Sequence, residues 1–207
     1  MTPDEYCQER AAASGSSFYY SFLFLPPERR RAITALYAFC REIDDVVDEC
    51  ADPAVAAAKL AWWRREVAAL YAGTPQHPVT RALLPLVVPY GITQLRLNEV
   101  LHGMEMDLQQ ARYPDFKTLE RYCYHVAGAV GLLAAGIFGY ANPQTLQYAE
   151  ALGTAFQLTN IIRDVAGRHA EPLQLVERQV DAVRRAGRRH SRGSPYRRIH
   201  PSHGLPD

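Results

Sequence analysis

The 207-residue sequence predicts an all-α protein, and three observations lead to this prediction. Apolar residues recur mostly at the three- and four-residue spacing of amphipathic helices. The alternation of Val, Ile and Thr that is typical of strands is scarce. Proline, glycine, Asp-Pro and Asn-Pro signals separate the periodic segments at short intervals. Helices joined by short loops in this way are expected to pack as an antiparallel bundle.

The first three predicted helices are delimited by proline. Two consecutive prolines begin a helix over residues 26–49, because proline is tolerated in the first helical turn. Asp52-Pro53 ends that helix and precedes a second one over residues 54–71. A third covers residues 78–89, and Pro85 is expected to bend it.

Three further helices are predicted over residues 92–110, 116–140 and 142–164. The fifth carries a run of small residues from Gly128 to Gly136. Glycine inside a helix costs ~1 kcal/mol relative to alanine, so this run needs a structural reason. It either lines a long apolar pocket or allows close contact between helices.

Charge divides the chain into two parts. Residues 1–164 carry a net charge of −4, whereas residues 165–207 contain nine arginines, no lysine and a net charge of +5. The stretch 186–207 has too few aliphatic residues to form a core and is predicted to be disordered. We therefore expect a helical domain over residues 1–165 and a basic tail over residues 166–207. The overall charge of +1 gives no reason to expect a nucleic-acid partner.

The cysteines and the hydropathy pattern favour a cytoplasmic protein. Four cysteines show neither CxxC spacing nor metal-ligand spacing with histidine, and the polar, acidic N-terminus argues against a secretory signal. The longest apolar run, residues 126–140, falls short of the ~20 residues needed to span a bilayer. Contact with a membrane is therefore expected only at its surface, at the inner face.

A first polar stripe lies on the first predicted helix. Tyr37, Arg41, Asp44 and Asp48 occupy positions i, i+4, i+7 and i+11, and Asp45 lies beside them. Carboxylates ~5–6 Å apart repel each other unless a cation or a proton intervenes. Mg²⁺ prefers one or two carboxylates completed by substrate phosphates, so the stripe predicts a magnesium–diphosphate site. The alternative is an acidic helix end that simply faces water.

A second stripe lies on the sixth helix, where Gln157, Asn160 and Asp164 occupy i, i+3 and i+7. Polar groups on an otherwise apolar helix are costly to bury without partners. They either bind the same magnesium–diphosphate cluster or form hydrogen bonds between helices. Glu105 and Asp107 add carboxylates on the fourth helix, or belong to a solvated face.

Three segments of the chain resemble the squalene/phytoene synthase family across roughly residues 14–165. They are SSFYYSFLFLPPERRRAITALYAFCREIDDVVDE, YCYHVAGAVG and LGTAFQLTNIIRDV, in the order in which the family has them. The run from SGSSFYYSFLFLPPERR to HGMEMDLQQARYPDF is most similar to the bacterial branch that makes presqualene diphosphate in hopanoid biosynthesis. The resemblance implies an isoprenoid-synthase fold of antiparallel helices around a central cavity.

The resemblance also implies a reaction, head-to-head condensation of two farnesyl diphosphates with Mg²⁺ as cofactor. One diphosphate ionises, and the double bond of the other substrate attacks the allylic cation to close a cyclopropane. The matching positions imply a role for each candidate site residue. Asp44, Asp48 and Asp164 correspond to metal ligands, Tyr37 and Arg41 to residues beside the diphosphates, and Tyr122 to the active-site tyrosine. Ser17 and Phe18 correspond to the entrance flap, and Gln157 and Asn160 to substrate-binding amides.

The resemblance has one clear departure near its end. The family's second acidic motif continues with another acid four residues after the aspartate, whereas this chain has Arg168. We therefore expect a fold that is incomplete at its C-terminus and a tail that is foreign to the family. A reading-frame change would produce such a tail. We also expect little or no activity in this form.

Two other functions fit parts of the sequence. A non-catalytic interaction or assembly protein of the same fold is one, although retention of Asp44, Asp48 and Asp164 indicates descent from an enzyme. A head-to-tail prenyl elongase or a terpene cyclase is the other, and the YCYHVAGAVG run points away from both. The absence of a GxGxxG fingerprint favours an unreduced product. The sequence leaves open the choice between farnesyl and geranylgeranyl substrates and the oligomeric state.

Overall fold

The computed structural model describes residues 1–109 and 113–168, and helices make up most of both ranges. The helices are α1 (Pro3–Ala13), α2 (Ser17–Phe22), α3 (Pro27–Asp48), α4 (Pro53–Tyr71), α5 (Pro78–Leu83), α6 (Gln94–Gln109), α7 (Phe116–Cys123), α8 (Ala129–Phe138) and α9 (Gln144–Arg168). No β-strand occurs in the two described ranges. The predicted all-α class is confirmed.

The chain divides into two units. The first, Met1–Ile161, contains α1 to α8 and most of α9. The second, Ile162–Asp207, is described as far as Arg168, where it forms the end of α9. The predicted tail lies outside the described residues from position 169 onward.

Helices α1 and α2 occupy the region that the sequence analysis treated as a polar start. Thr2 begins α1 with a capping box, in which its hydroxyl accepts from the backbone N–H of Glu5 and its own N–H donates to the Glu5 carboxylate. Ser16 caps α2 by accepting from the N–H of Phe18. The hydrophobic periodicity of α1 is weak because its contacts with α3 and α5 bury only Cys7 and Ala11.

Helix α3 is the centre of the first unit and packs against α1, α4, α5, α6 and α8. Phe39 is fully buried on it and meets Trp63 of α4 edge to face, with ring centroids 5.7 Å apart. Asp52 caps α4 by accepting from the N–H of Ala54, and Pro53 occupies the first helical position. The aspartates of α3 are therefore fixed to the best-packed helix of the fold.

The third predicted helix is shorter than expected. α5 ends at Leu83 and continues as a 3₁₀ turn, Leu84–Leu86, so Pro85 ends the α-helix instead of bending it. Buried Glu66 of α4 holds the connection to α5. Its carboxylate accepts from the backbone N–H groups of Gln76 and His77 at 2.7 Å and from the Thr80 hydroxyl at 2.5 Å.

The fifth predicted helix is divided by a π-helical segment, Tyr124–Gly128, between α7 and α8. Residues before it pack in a small apolar cluster around Tyr122, whereas residues after it pack in the main core. A Cβ on Gly131 would collide with the carbonyl oxygen of Ala149, and one on Gly153 with that of Ala127. At Gly131, which belongs to the run, and at Gly153 of α9, glycine allows close contact between helices, and the apolar pocket stays a prediction.

Candidate functional site

The predicted stripe on α3 lies along one partly exposed face. The Arg41 guanidinium donates to Asp44 at 2.6 Å and to Asp45 at 2.8 Å. Tyr37, one turn earlier, donates its hydroxyl to the Ser14 Oγ at 3.0 Å. Arg41 thus links the acidic end of the stripe, and Tyr37 ties it to the loop before α2.

Asp45 has a structural partner that the sequence analysis did not identify. Arg10 of α1 pairs with Asp45 and, at 2.8 Å, with Glu42. Glu42 also accepts from the Tyr6 hydroxyl at 2.7 Å. With Arg10 and Arg41 both bound to it, Asp45 serves to fasten α1 to α3. Asp44 and Asp48 are left as the candidate ligands.

Asp44 lies in an environment that disfavours two negative charges. Burial and the charge of Asp48 raise its pKa to about 6, although Arg41 acts in the opposite direction. Asp107 of α6 adds to this effect. The pKa of Asp107 is itself raised by burial and by Asp48. Three carboxylates from α3 and α6 therefore share one neighbourhood.

Asp107 and Glu105 are the two acids of the fourth predicted helix that the sequence left open between added site carboxylates and a solvated face. The structure places Glu105 at a partly buried position and leaves Asp107 on the exposed surface of α6. The Glu105 carboxylate accepts hydrogen bonds from the Nε and from one terminal nitrogen of Arg64, both at 2.6 Å. The two residues form a structural ion pair between α4 and α6. Asp107 has no ion-pair partner among the described residues. The available signal was the two-residue spacing, which places the two acids on different sides of the helix.

Tyr122 lies beside these carboxylates. It is buried, and its ring packs against that of Tyr113 with centroids 4.9 Å apart. Burial, followed by the charge of Asp107 and smaller contributions from Tyr113, Cys123 and Asp44, raises its pKa well above the ordinary value. Tyr122 therefore stays protonated and presents a neutral phenol next to the acidic group.

Helix α9 contributes the predicted amides. Gln157 and Asn160 are half-buried, and neither forms a side-chain hydrogen bond within the described part of the chain. The neighbouring Leu158 and Ile161 pack against the cluster that contains Tyr122. Within the first unit, these contacts bring the amide-bearing part of α9 to the Tyr122 cluster.

The remaining predicted site residues lie on α2 and in the second unit. Ser17 is the first residue of α2, and Phe18 meets Phe156 of α9 edge to face at 5.9 Å. Asp164 belongs to the second unit, where its carboxylate lies 3.3 Å from the Arg163 Nε. Its convergence with Asp44 and Asp48 stays a prediction.

The carboxylates fit a magnesium ion by the chemistry of their donors. Within residues 1–109 and 113–168 there is no group of three or more His, Cys, Asp or Glu residues that could hold a metal ion. Mg²⁺ does not need one, because it keeps several waters and is bound by one or two carboxylates together with substrate phosphates. Asp44 and Asp48, whose mutual repulsion a cation would relieve, have the donor chemistry for that pair.

The fold and this site define an all-helical protein with paired aspartates beside a buried tyrosine. The chain belongs to the squalene/phytoene synthase family, whose model matches residues 11–188. The match extends past residue 165, where the resemblance was placed to end. The domain boundary between residues 165 and 166 stays a prediction.

Individual relatives agree with this membership. The chain is 40% identical over 161 residues to the presqualene diphosphate synthase of Sinorhizobium fredii, covering 77% of this chain and 57% of that protein. It is 39% identical over 166 residues to the chloroplastic phytoene synthase of Narcissus pseudonarcissus, covering 77% and 39%. The structure of squalene synthase HpnC from Alicyclobacillus acidocaldarius matches with a TM-score of 0.71 and 29% identity, covering 79% and 63%. The chain thus spans about half the length of the curated relatives it matches.

Proposed function

We propose that the protein is a prenyltransferase that condenses two farnesyl diphosphates head to head to presqualene diphosphate, with Mg²⁺ as cofactor. The observation that carries the proposal is the shared neighbourhood of Asp44, Asp48 and Asp107 beside the buried phenol of Tyr122. The 40% identity to a presqualene diphosphate synthase supports this product over the alternatives.

The acidic group would hold the metal and the diphosphates. Asp44 and Asp48 are the proposed ligands on α3, Asp107 completes the acidic side from α6, and Asp164 is the proposed ligand from α9. Bound Mg²⁺ would supply the positive charge that stabilises a departing diphosphate. The raised pKa of Asp44 supports this assignment, because a cation removes the repulsion that burial and Asp48 impose.

Arg41 is proposed to orient the leaving group. In the structure its two terminal nitrogens are held by Asp44 and Asp45. Metal bound at Asp44 would compete for that carboxylate and free one side of the guanidinium for a diphosphate oxygen, a partner that suits its planar geometry. Asp45 would keep the other side in place. Tyr37 is proposed to border the same diphosphate.

Tyr122 is proposed to act near the hydrocarbon part of the substrate. A neutral tyrosine presents the electron-rich face of its ring to a cation, and its hydroxyl can donate or relay a proton. The environment of Tyr122 supports this role, since burial and neighbouring negative charge oppose its ionisation. Gln157 and Asn160 are proposed to hydrogen-bond the diphosphates, and Ser17 and Phe18 to cover the entrance.

The cell compartment is part of the proposal. All four cysteines, Cys7, Cys40, Cys50 and Cys123, are free, which supports a reducing, cytoplasmic setting. No helix in the described ranges is both long and apolar enough to cross a bilayer.

The direct test is an assay with purified protein, farnesyl diphosphate and Mg²⁺, with extraction and chromatography of the products. Presqualene diphosphate that disappears when Mg²⁺ is chelated supports the proposal. Magnesium-dependent binding without turnover would indicate a form that has lost activity. Absence of both would favour the non-catalytic interaction protein.

A further inference from the structure

A group of apolar side chains projects from the corner between α2 and α3. Tyr20, Leu23 and Phe24 are 62%, 45% and 91% exposed, whereas Phe22 between them is buried. One exposed apolar residue is ordinary on a soluble protein, but three within five positions form a patch that needs an explanation. We call Tyr20, Leu23, Phe24 and the nearby Arg29 the corner patch.

The corner patch is built on an ordered backbone. The N–H groups of Leu23, Phe24 and Leu25 donate to the carbonyls three residues earlier at 3.3, 3.4 and 3.0 Å. Phe22 anchors this turn by packing against Tyr37 of α3, with ring centroids 5.7 Å apart. The same turn that buries Phe22 therefore holds Phe24 in solvent.

Positive charge lies next to the apolar side chains. Arg29 and Arg30 follow the corner at the start of α3, and neither forms an ion pair within the described residues, whereas Arg31 pairs with Asp4. Apart from the Arg31–Asp4 pair, the segment from Tyr20 to Arg31 carries two arginines against one acid, Glu28. It therefore presents uncompensated positive charge beside exposed apolar groups.

Arg29 also reaches a second exposed aromatic group. Its guanidinium lies against Gly139, where an added Cβ would be 3.3 Å away. The neighbours of that glycine, Phe138 and Tyr140, are 40% and 45% exposed. Exposed aromatic side chains therefore flank Arg29 in two ways. Tyr20 and Phe24 precede it in the chain, and Phe138 and Tyr140 adjoin the glycine that its guanidinium contacts.

We propose that the corner patch docks on the surface of an anionic lipid bilayer. Aromatic and aliphatic groups that enter the boundary between headgroups and acyl chains, flanked by arginines that meet anionic headgroups, are the chemistry of interfacial anchors. Charge complementarity favours this occupant over a second copy of the chain, because two such corners would bring like charges together.

The position of α2 gives the docking a consequence that rests on the proposed function. Phe18 at the other end of α2 contacts Phe156, which precedes the candidate substrate-binding residue Gln157. A bilayer held against the corner patch would lie beside the proposed entrance for long apolar substrates.

The test is co-sedimentation of the full chain with phosphatidylcholine vesicles, with and without phosphatidylglycerol. Phe24→Ala is expected to weaken binding to both by about tenfold, because it removes the most exposed ring. Arg29→Gln should weaken binding about fivefold, and only to the anionic vesicles. Val55→Ala is the matched control, because Val55 is 45% exposed and lies near the start of α4, which follows the C-terminal end of α3, whereas the corner lies at the N-terminal end of α3. The basic residues after position 165 are common to all variants, so their contribution cancels.

A second measurement reports where the patch lies. Phe24→Trp should be quenched by brominated lipid more than Val55→Trp, above the background of Trp62 and Trp63. Equal binding by wild type, Phe24→Ala and Val55→Ala would overturn the proposal. So would a dimer in vesicle-free solution that Phe24→Ala dissociates, because a second copy would then cover the patch. Vesicle binding needs no substrate, so its failure is distinct from failure of the proposed reaction.

Discussion

Asp48 on α3 and Asp107 on α6 lie in one acidic neighbourhood, in which burial and the charge of Asp48 raise the pKa of Asp107. Two helices that are far apart in sequence thus bring carboxylates together beside Tyr122. The arrangement extends the acidic site beyond the aspartates of α3.

Asp107→Asn is expected to weaken magnesium-dependent binding of farnesyl diphosphate, because it removes a negative charge next to Asp48 and Asp44. Isothermal titration calorimetry with and without Mg²⁺ measures the effect. Glu120→Gln, an exposed acid on α7, is the control and should bind as wild type. Equal affinities for both variants would remove Asp107 from the site.

Arg10→Ala is expected to lower the free energy of unfolding by about 2 kcal/mol, because it deprives Glu42 and Asp45 of a shared cation at partly buried positions. Arg31→Ala is the matched control. Its pair with Asp4 is about half exposed on both sides and is worth less than about 1 kcal/mol. Urea unfolding measures both. Similar losses for the two variants would show that Arg10 does not brace α3.

Glu66→Gln tests the connection between α4 and α5. Burial alone would raise the pKa of Glu66, but hydrogen bonds from Thr80, His77 and Gln76 outweigh it and lower the pKa below the ordinary value of 4.5. The carboxylate therefore stabilises the fold above that pH and loses this contribution as the pH falls through the lowered pKa. The variant should lose about 2 kcal/mol at neutral pH.

The pH dependence provides the check on Glu66. The stability difference between wild type and Glu66→Gln should shrink in unfolding experiments below pH 4.5. Glu9→Gln, an exposed acid on α1, should show neither the loss nor its pH dependence. A difference that stays constant down to low pH would show that ionised Glu66 is not the stabilising form.

Arg168→Asp tests the account of the C-terminal segment. Residue 168 is one helical turn after Asp164 on α9, so an aspartate there would place two carboxylates on one stripe. We expect tighter magnesium-dependent binding, because a positive charge near the proposed ligand is replaced by a negative one. Weaker binding by the variant would show instead that Arg168 contacts the diphosphate.

The helices with clear periodicity and proline boundaries were predictable from the sequence. α3, α4, α6 and α9 begin and end within a few residues of the expected positions. α1 was missed because a short helix that buries two residues has little periodicity. The π-helical segment after α7 was not predicted, because the one extra residue in its turn does not change the mix of apolar and polar residues from which a helix is predicted.

The site was predictable where its residues share a helix and not where they come from different ones. Spacing placed Tyr37, Arg41, Asp44 and Asp48 on one face of α3, because i, i+4 and i+7 positions share a face, and their roles in a site stay predictions. The neighbours of Asp45 and Asp107 include Arg10 of α1 and Asp48 of α3, respectively. The spacing of residues within one helix cannot predict such pairs between helices. The central cavity implied by the family resemblance stays a prediction.

The central claim is that Asp44 and Asp48 bind the magnesium that binds the substrate diphosphate. Calorimetric titration of farnesyl diphosphate into wild type, Asp48→Asn and Glu49→Gln, with Mg²⁺ and with chelator, tests it most directly. We expect binding by wild type and Glu49→Gln that requires Mg²⁺, and loss of that binding in Asp48→Asn. Binding that is equally strong in all three proteins, or unchanged by the chelator, would contradict the claim.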